Sequence, residues 1–128
     1  MRAYLPISHD DLQGFVLNKS FQVDELYAPT IHFVVENPEC DEEELEYLLS
    51  IAAGEEALEL RQSETAPGIV IALEITKEQI GEHFAQSISL VSALDWSQVQ
   101  CALLAIQGDD ELVWFATQEI ELHLAQWK

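Results

Sequence analysis

The segment from Gly68 to Ile75 is a nearly unbroken run of apolar residues and is rich in β-branched side chains. Continuous rather than alternating apolarity is typical of a strand that is covered on both faces. A chain with such a strand must place further elements on each side of a sheet. The run therefore predicts a central strand in a layered fold.

After this strand, the chain alternates between helix-like and strand-like patterns. This alternation favours right-handed crossovers and a largely parallel sheet packed by helices. The predicted elements are, in order, a short helix from Thr76 to Phe84, a strand from Ser87 to Leu94, a helix from Asp95 or Ser97 to Gly108, a strand from Leu112 to Ala116 and a helix from Thr117.

The first half of the chain adds a strand from Arg2 to Ile7 and a helix that Ser8 caps and Asn18 ends. The segment Ile31 to Glu36 fits a short helix but has strand propensity too. The strongest helix runs from Asp41 to Arg61, with carboxylates in its first turn, where they meet the positive end of the helix dipole. We predict an α/β fold: a single acidic domain of residues 1–128, with about four strands in a largely parallel or mixed sheet packed by helices. An α+β fold is the alternative.

The charge of the chain is strongly one-sided. Twenty-four Asp and Glu residues face five Lys and Arg residues, which gives a net charge of −19 on 128 residues. The 48% of hydrophobic residues indicates a folded body rather than a disordered acidic tail. Such a surface repels nucleic acid and anionic membranes, and it attracts basic proteins from a distance. We therefore expect a basic protein as partner, and neither nucleic acid nor a membrane.

The sequence contains no recognisable catalytic or ligand-binding motif. The four histidines show no metal-ligand spacing, and no Gly-rich phosphate loop or nucleophile motif occurs. We predict no catalytic residue, no metal site and no cofactor. Cys40 lies in a loop-like segment, and Cys101 lies in a helix-like pattern. The sequence shows no signal peptide and no apolar run near the ~20 residues of a membrane span. We therefore expect a cytoplasmic protein whose two thiols are reduced.

Three stretches resemble a family of small uncharacterised actinobacterial proteins. They are Met1-Arg2-Ala3-Tyr4-Leu5-Pro6, Asp41-Glu42-Glu43-Glu44-Leu45-Glu46-Tyr47 and Glu111-Leu112-Val113-Trp114-Phe115-Ala116-Thr117-Gln118-Glu119-Ile120. The family carries no known activity, so the resemblance implies none. Carried over residue by residue, it points to Tyr4 and to six candidate binding residues: Glu43, Glu44, Tyr47, Trp114, Gln118 and Glu119.

Two classes of function remain open. The first is a non-enzymatic acidic protein that binds a basic partner, with a nucleic-acid mimic as its sharper form. The second is a small enzyme whose carboxylate and tyrosine pocket uses Glu44, Tyr47 and Glu119. The oligomeric state stays open.

Overall fold

The computed structural model describes all 128 residues. Nine strands and four α-helices follow one another along the chain. They are β1 (Arg2–Ile7), α1 (His9–Asn18), β2 (Ser20–Phe21), β3 (Glu25–Tyr27), α2 (Ile31–Glu36), α3 (Glu42–Glu59), β4 (Gly68–Glu74), β5 (Ile80–His83), β6 (Ser87–Leu90), β7 (Leu94–Asp95), β8 (Val99–Ala105), β9 (Val113–Ala116) and α4 (Thr117–His123). No helix has the length and apolar character that a membrane span requires.

Seven strands form one sheet in the order β5-β6-β3-β1-β4-β8-β9, and every neighbouring pair is antiparallel. Strands β2 and β7 form a separate antiparallel pair. The predicted α/β fold, with about four strands in a largely parallel or mixed sheet, is therefore wrong. The prediction of a central strand is confirmed: β4 lies between β1 and β8, and all of its residues except Glu74 are buried.

Two predicted helices account for the wrong fold class. The segment from Thr76 to Phe84 has a 3-10 turn only at Lys77–Gln79 and then continues as β5. The segment predicted as a helix up to Gly108 has a 3-10 turn at Trp96–Gln98, and its apolar part is β8, which carries Cys101. Because both segments are strands rather than crossover helices, short connections join β5 to β6 and β8 to β9, and these pairs are antiparallel.

Most of the other predicted elements are confirmed. The helix that Ser8 caps, the short helix at Ile31–Glu36 and the helix that Thr117 begins are all present. The long acidic helix is α3, only slightly shorter than predicted. The strand predicted from Ser87 to Leu94 is divided between β6 and the start of β7.

Helices cover both faces of the sheet. One face packs against α1, α4 and the C-terminal turn, and its core includes Leu5, Ile71, Leu104, Phe15 and Ile120. The opposite face packs mainly against α3, and Phe33 of α2 contacts the same core. Its core consists of small and medium side chains around one tyrosine: Tyr4, Leu49, Ala53, Ala57, Val70, Ala72 and Cys101. Because α3 is the one long helix on this face of a wide sheet, it leaves sheet surface uncovered beside its first half.

Candidate functional site

The helix α3 begins with a complete capping box. The Glu44 backbone N–H donates to Asp41 Oδ1 at 2.9 Å, and the Asp41 backbone N–H donates to Glu44 Oε1 at 3.3 Å. Reciprocal bonds of this kind satisfy N–H groups that a helix end leaves unpaired. The cap fixes where the helix starts, and so it fixes which of the following side chains face the sheet.

The first half of α3 and the sheet beneath it enclose a groove of about 230 Å³. We call it the α3 groove. Its lining residues come from α3 and from strands β1, β4, β8 and β9: Arg2, Tyr4, Glu43, Glu46, Tyr47, Ser50, Ala72, Cys101, Leu103 and Trp114. The strand register explains the floor, because Tyr4 pairs with Ala72, Ala72 with Cys101, and Leu103 with Trp114.

The outer part of the groove is aromatic and acidic. Trp114 is 60% exposed and Tyr47 is 58% exposed, and the exposed Glu43 lies on the same groove. Exposed apolar side chains that lie together, unlike ones scattered singly, mark interaction sites. The groove thus brings together three of the six candidate residues that the sequence predicted.

The inner part of the groove is buried and carries a cation. Arg2 is half-buried, and its Nη2 donates to Cys101 Sγ at 3.7 Å. Tyr4 is 5% exposed, and burial, with the Glu46 carboxylate as the next cause, raises the pKa of Tyr4 from 10.0 to about 12. The inner groove therefore keeps the Tyr4 hydroxyl protonated beside a guanidinium and a thiol.

Glu46 is a groove residue that the sequence analysis missed. Burial raises its pKa above the ordinary value; Glu42, Glu74 and Glu43 raise it further, and Arg2 acts in the opposite direction. A signal was present in the sequence. Residues 43, 46, 47 and 50 follow the i, i+3, i+4, i+7 spacing of one helix face, so Glu46 had to lie beside the predicted Glu43 and Tyr47.

The other three candidate residues lie outside the α3 groove. Glu44 belongs to the cap of α3 and borders a neighbouring shallow depression of about 370 Å³ with Tyr47 and Leu48. Glu119 Oε1 accepts a hydrogen bond of 2.9 Å from the Ala116 backbone N–H at the start of α4. Gln118 is exposed on the same first turn. Both glutamates therefore have a structural explanation in a helix cap.

Very few of the 24 carboxylates are paired. Lys19 Nζ contacts Glu121 Oε1 at 3.3 Å, and the N-terminal ammonium contacts Glu74 Oε2 at 3.3 Å. The remaining ion pair joins His9 and the neighbouring Asp10, at 4.0 Å. Arg61 instead donates to three neutral oxygens, which are the backbone oxygens of Leu58 and Glu64 and the side-chain Oε1 of Gln107. Most of the negative charge is thus free to act on molecules outside the chain.

The structure shows neither a cluster of metal ligands nor a disulfide bond. No group of three or more His, Cys, Asp or Glu side chains is placed to hold a metal ion. Both cysteines are free: Cys101 is buried in the sheet, whereas Cys40 is half-buried just before α3.

Comparison with known proteins gives a family and no activity. No curated protein matches the chain, and no solved structure matches it. A model of a family of unknown function, DUF6912, matches residues 1–105, so the match ends with β8 and leaves out β9 and α4. This agrees with the resemblance to an uncharacterised family that the sequence indicated. The chain belongs to this family of unknown function.

Proposed function

We propose that the protein is a non-enzymatic interaction protein that binds a basic protein partner through the N-terminal half of α3. We call this region the α3 surface and define it by Glu42, Glu43, Glu44, Tyr47, Leu48 and Trp114. The single observation that carries the proposal is the set of exposed aromatic and apolar side chains beside carboxylates of α3 that are in no ion pair.

The charge supports attraction at long range. A net charge of −19 creates a field that steers basic proteins toward the surface and speeds their encounter. The first turn of α3 concentrates three glutamates, and no basic residue occurs anywhere in this helix. A cationic surface approaching α3 therefore meets no local repulsion from the helix.

The exposed apolar groups support specific contact at short range. Trp114, Tyr47 and Leu48 are 60%, 58% and 42% exposed. Trp and Tyr are enriched among the residues that dominate binding energy, and charged residues typically form the rim around them. Their rings also offer faces for the cations of Lys and Arg side chains.

The distribution of charge along α3 bears on the nucleic-acid mimic. The seven glutamates of α3 form two groups, Glu42 to Glu46 and Glu55 to Glu59. At 1.5 Å per residue, about 13 Å separates Glu46 from Glu55, and no carboxylate of the helix lies between them. A DNA strand carries a phosphate about every 3.4 Å of its axis. The gap favours a partner with separate basic patches over a DNA-binding protein that contacts successive, evenly spaced phosphates.

The enzyme hypothesis receives less support from the geometry. It relies on Glu44, Tyr47 and Glu119, but two of these residues use a carboxylate oxygen in a helix cap. The proposed setting is the cytoplasm, where free Cys40 and Cys101 stay reduced.

The test is capture of partners from a native lysate at low salt, followed by elution with rising NaCl. The captured protein is then purified and its affinity is measured by calorimetry against the wild type and the variants Tyr47→Ala and Trp114→Ala. We expect a basic protein, and a loss of about 2 kcal/mol for each variant, as at interface hot spots. The matched controls are Val91→Ala and Leu122→Ala, at residues that are 67% and 76% exposed outside the α3 surface.

The outcomes separate the hypotheses. Control variants that weaken binding as much as Tyr47→Ala and Trp114→Ala would place the interface elsewhere on the protein. A captured protein that DNA displaces competitively from the chain would restore the mimic. The absence of any basic partner at low salt would remove the proposed function.

A further inference from the structure

We propose that the α3 groove binds a small zwitterion: a free amino acid with an apolar side chain, whose carboxylate meets Arg2 and whose ammonium meets Glu43 and Glu46. This inference goes beyond the proposed function, because its ligand is a small molecule that reaches buried residues. The groove shares Glu43, Tyr47 and Trp114 with the α3 surface, and Arg2, Tyr4 and Glu46 distinguish the two.

The first observation is the state of Arg2. Its guanidinium is half-buried, lines the groove and makes its hydrogen bond to a thiol sulfur at 3.7 Å, while no carboxylate oxygen lies within the 4.0 Å of an ion pair. Sulfur is a weak acceptor, and four further N–H donors of a guanidinium remain for a stronger one. A planar carboxylate fits this fork with two parallel hydrogen bonds.

The second observation is the hydroxyl of Tyr4. The residue is 5% exposed and lines the groove, and its hydroxyl makes no hydrogen bond within the protein and reaches the solvent of the groove. Such a hydroxyl has its donor free for a group that enters the groove and displaces that solvent. A ligand carboxylate held by Arg2 would also accept a hydrogen bond from this hydroxyl, because both side chains lie on β1 two residues apart and on the same face.

The third observation is the pair of carboxylates opposite Arg2. Glu43 and Glu46 both line the groove, and neither is in an ion pair. Burial holds the pKa of Glu46 above its ordinary value, and the ammonium of a bound ligand would favour the ionised form of this carboxyl. One guanidinium and two carboxylates give the groove a net negative charge, so a free anion is disfavoured and a ligand with its own ammonium is matched.

The fourth observation is the size and the rim of the groove. Its volume of about 230 Å³ is below the roughly 300–1,000 Å³ of pockets for drug-sized ligands, so it suits a single small molecule. The exposed rings of Trp114 and Tyr47, together with Leu103 of β8, offer an apolar wall for the side chain of the ligand. A small ligand with a carboxylate, an ammonium and an apolar side chain matches these features, and an amino acid is such a ligand.

The test begins with titration of the full chain with each of the twenty standard amino acids, followed by calorimetry and by the fluorescence of the tryptophans. The best binder is then compared with its N-acetyl derivative, which lacks the ammonium, and with its amide, which lacks the carboxylate. We expect the free amino acid to bind at least about ten-fold more tightly than either derivative, because each derivative loses the partner of one charged side chain in the groove.

Two variants assign the two charges to residues. In Arg2→Gln the free amino acid and its amide should bind equally, because the carboxylate has lost its partner. In Glu46→Gln the advantage of the free amino acid over its N-acetyl derivative should shrink in the same way. The matched controls are Lys77→Gln and Glu78→Gln, two exposed residues of opposite charge outside the groove, which should bind like the wild type.

Each result decides the inference. It is overturned if no amino acid binds with a Kd below about 10 mM, if a derivative binds as tightly as the free amino acid, or if the control variants lose affinity equally. Thermal unfolding of every variant shows whether it is folded, and the Glu46→Gln comparison stands if Arg2→Gln fails to fold. Arg2→Gln should still capture the basic partner, since Arg2 lies beneath the α3 surface, so this inference and the proposed function can fail separately.

Discussion

Substituting Gly68 by alanine should destabilise the protein, because α3 passes directly over this glycine at the start of β4. A Cβ atom built on Gly68 would lie 2.7 Å from the Leu58 backbone nitrogen and 2.8 Å from the Ala57 carbonyl carbon. Both atoms belong to the backbone of α3, so no side-chain rotation relieves the overlap. The helix would have to move away from the sheet.

The expected magnitude follows from this geometry. Added methyl groups in a well-packed region cost about 1–3 kcal/mol, and a contact with backbone places Gly68→Ala at about 3 kcal/mol. A chain of 128 residues has an unfolding entropy of about 0.27 kcal/mol per kelvin, so Tm should fall by about 11 °C. Circular dichroism during thermal unfolding measures this shift directly.

Gly14 provides the matched control for the same substitution. It lies inside α1, and a Cβ atom there would meet no atom within 4 Å. Alanine is favoured over glycine in a helix by about 1 kcal/mol, so Gly14→Ala should raise Tm by about 4 °C. If Gly68→Ala left Tm unchanged or raised it, the close contact between α3 and β4 would be refuted.

Three further predictions concern charge and capping. Raising NaCl from about 10 mM to about 0.5 M should raise Tm by several degrees, since salt screens the repulsion among 24 carboxylates; an unchanged Tm would contradict this. Burial raises the pKa of Tyr4 to about 12, so its contribution to stability is complete below pH 10 and is lost as pH rises toward 12. After allowing for screening by water in the groove, the free energy of unfolding lost in this pH range is about 1.5 kcal/mol. In urea unfolding, Tyr4→Phe should therefore lose less stability than the wild type at alkaline pH. Equal losses would exclude Tyr4 as the source. Asp41→Ala should lower stability by about 1 kcal/mol, or Tm by about 4 °C, because it removes the cap of α3, whereas a loss below about 1 °C would mean that water replaces the cap.

The candidate site was only partly predictable from the sequence. Glu43 and Tyr47 share a face of one helix, and that much follows from their spacing. The groove also needs Arg2, Cys101 and Trp114, which lie far apart along the chain and meet only because β1, β8 and β9 belong to one sheet. Cys101 was expected in a helix, so no reasoning from periodicity could have placed it beside Arg2.

The fold shows the same division between local and long-range information. Asp41 and Glu44 predict the start of α3 because a capping box involves only four consecutive residues. The same local pattern at Thr76 to Gln79 and at Asp95 to Gln98 forms only a single 3-10 turn. A capping box specifies how a helix begins, but the residues that follow determine whether it continues.

The sequence by itself determined the long acidic helix, the buried central strand and the excess of unpaired negative charge, because each depends on composition or on neighbours along the chain. Only the tertiary structure decided that Val99 to Ala105 is a strand. Apolar residues at 99, 102, 103 and 106 fit a helix face, and a strand buried on both sides shows no alternation that would distinguish it. Pairing with β4 on one side and β9 on the other satisfies the backbone of this segment, and these long-range hydrogen bonds settle both the antiparallel sheet and the groove on its surface.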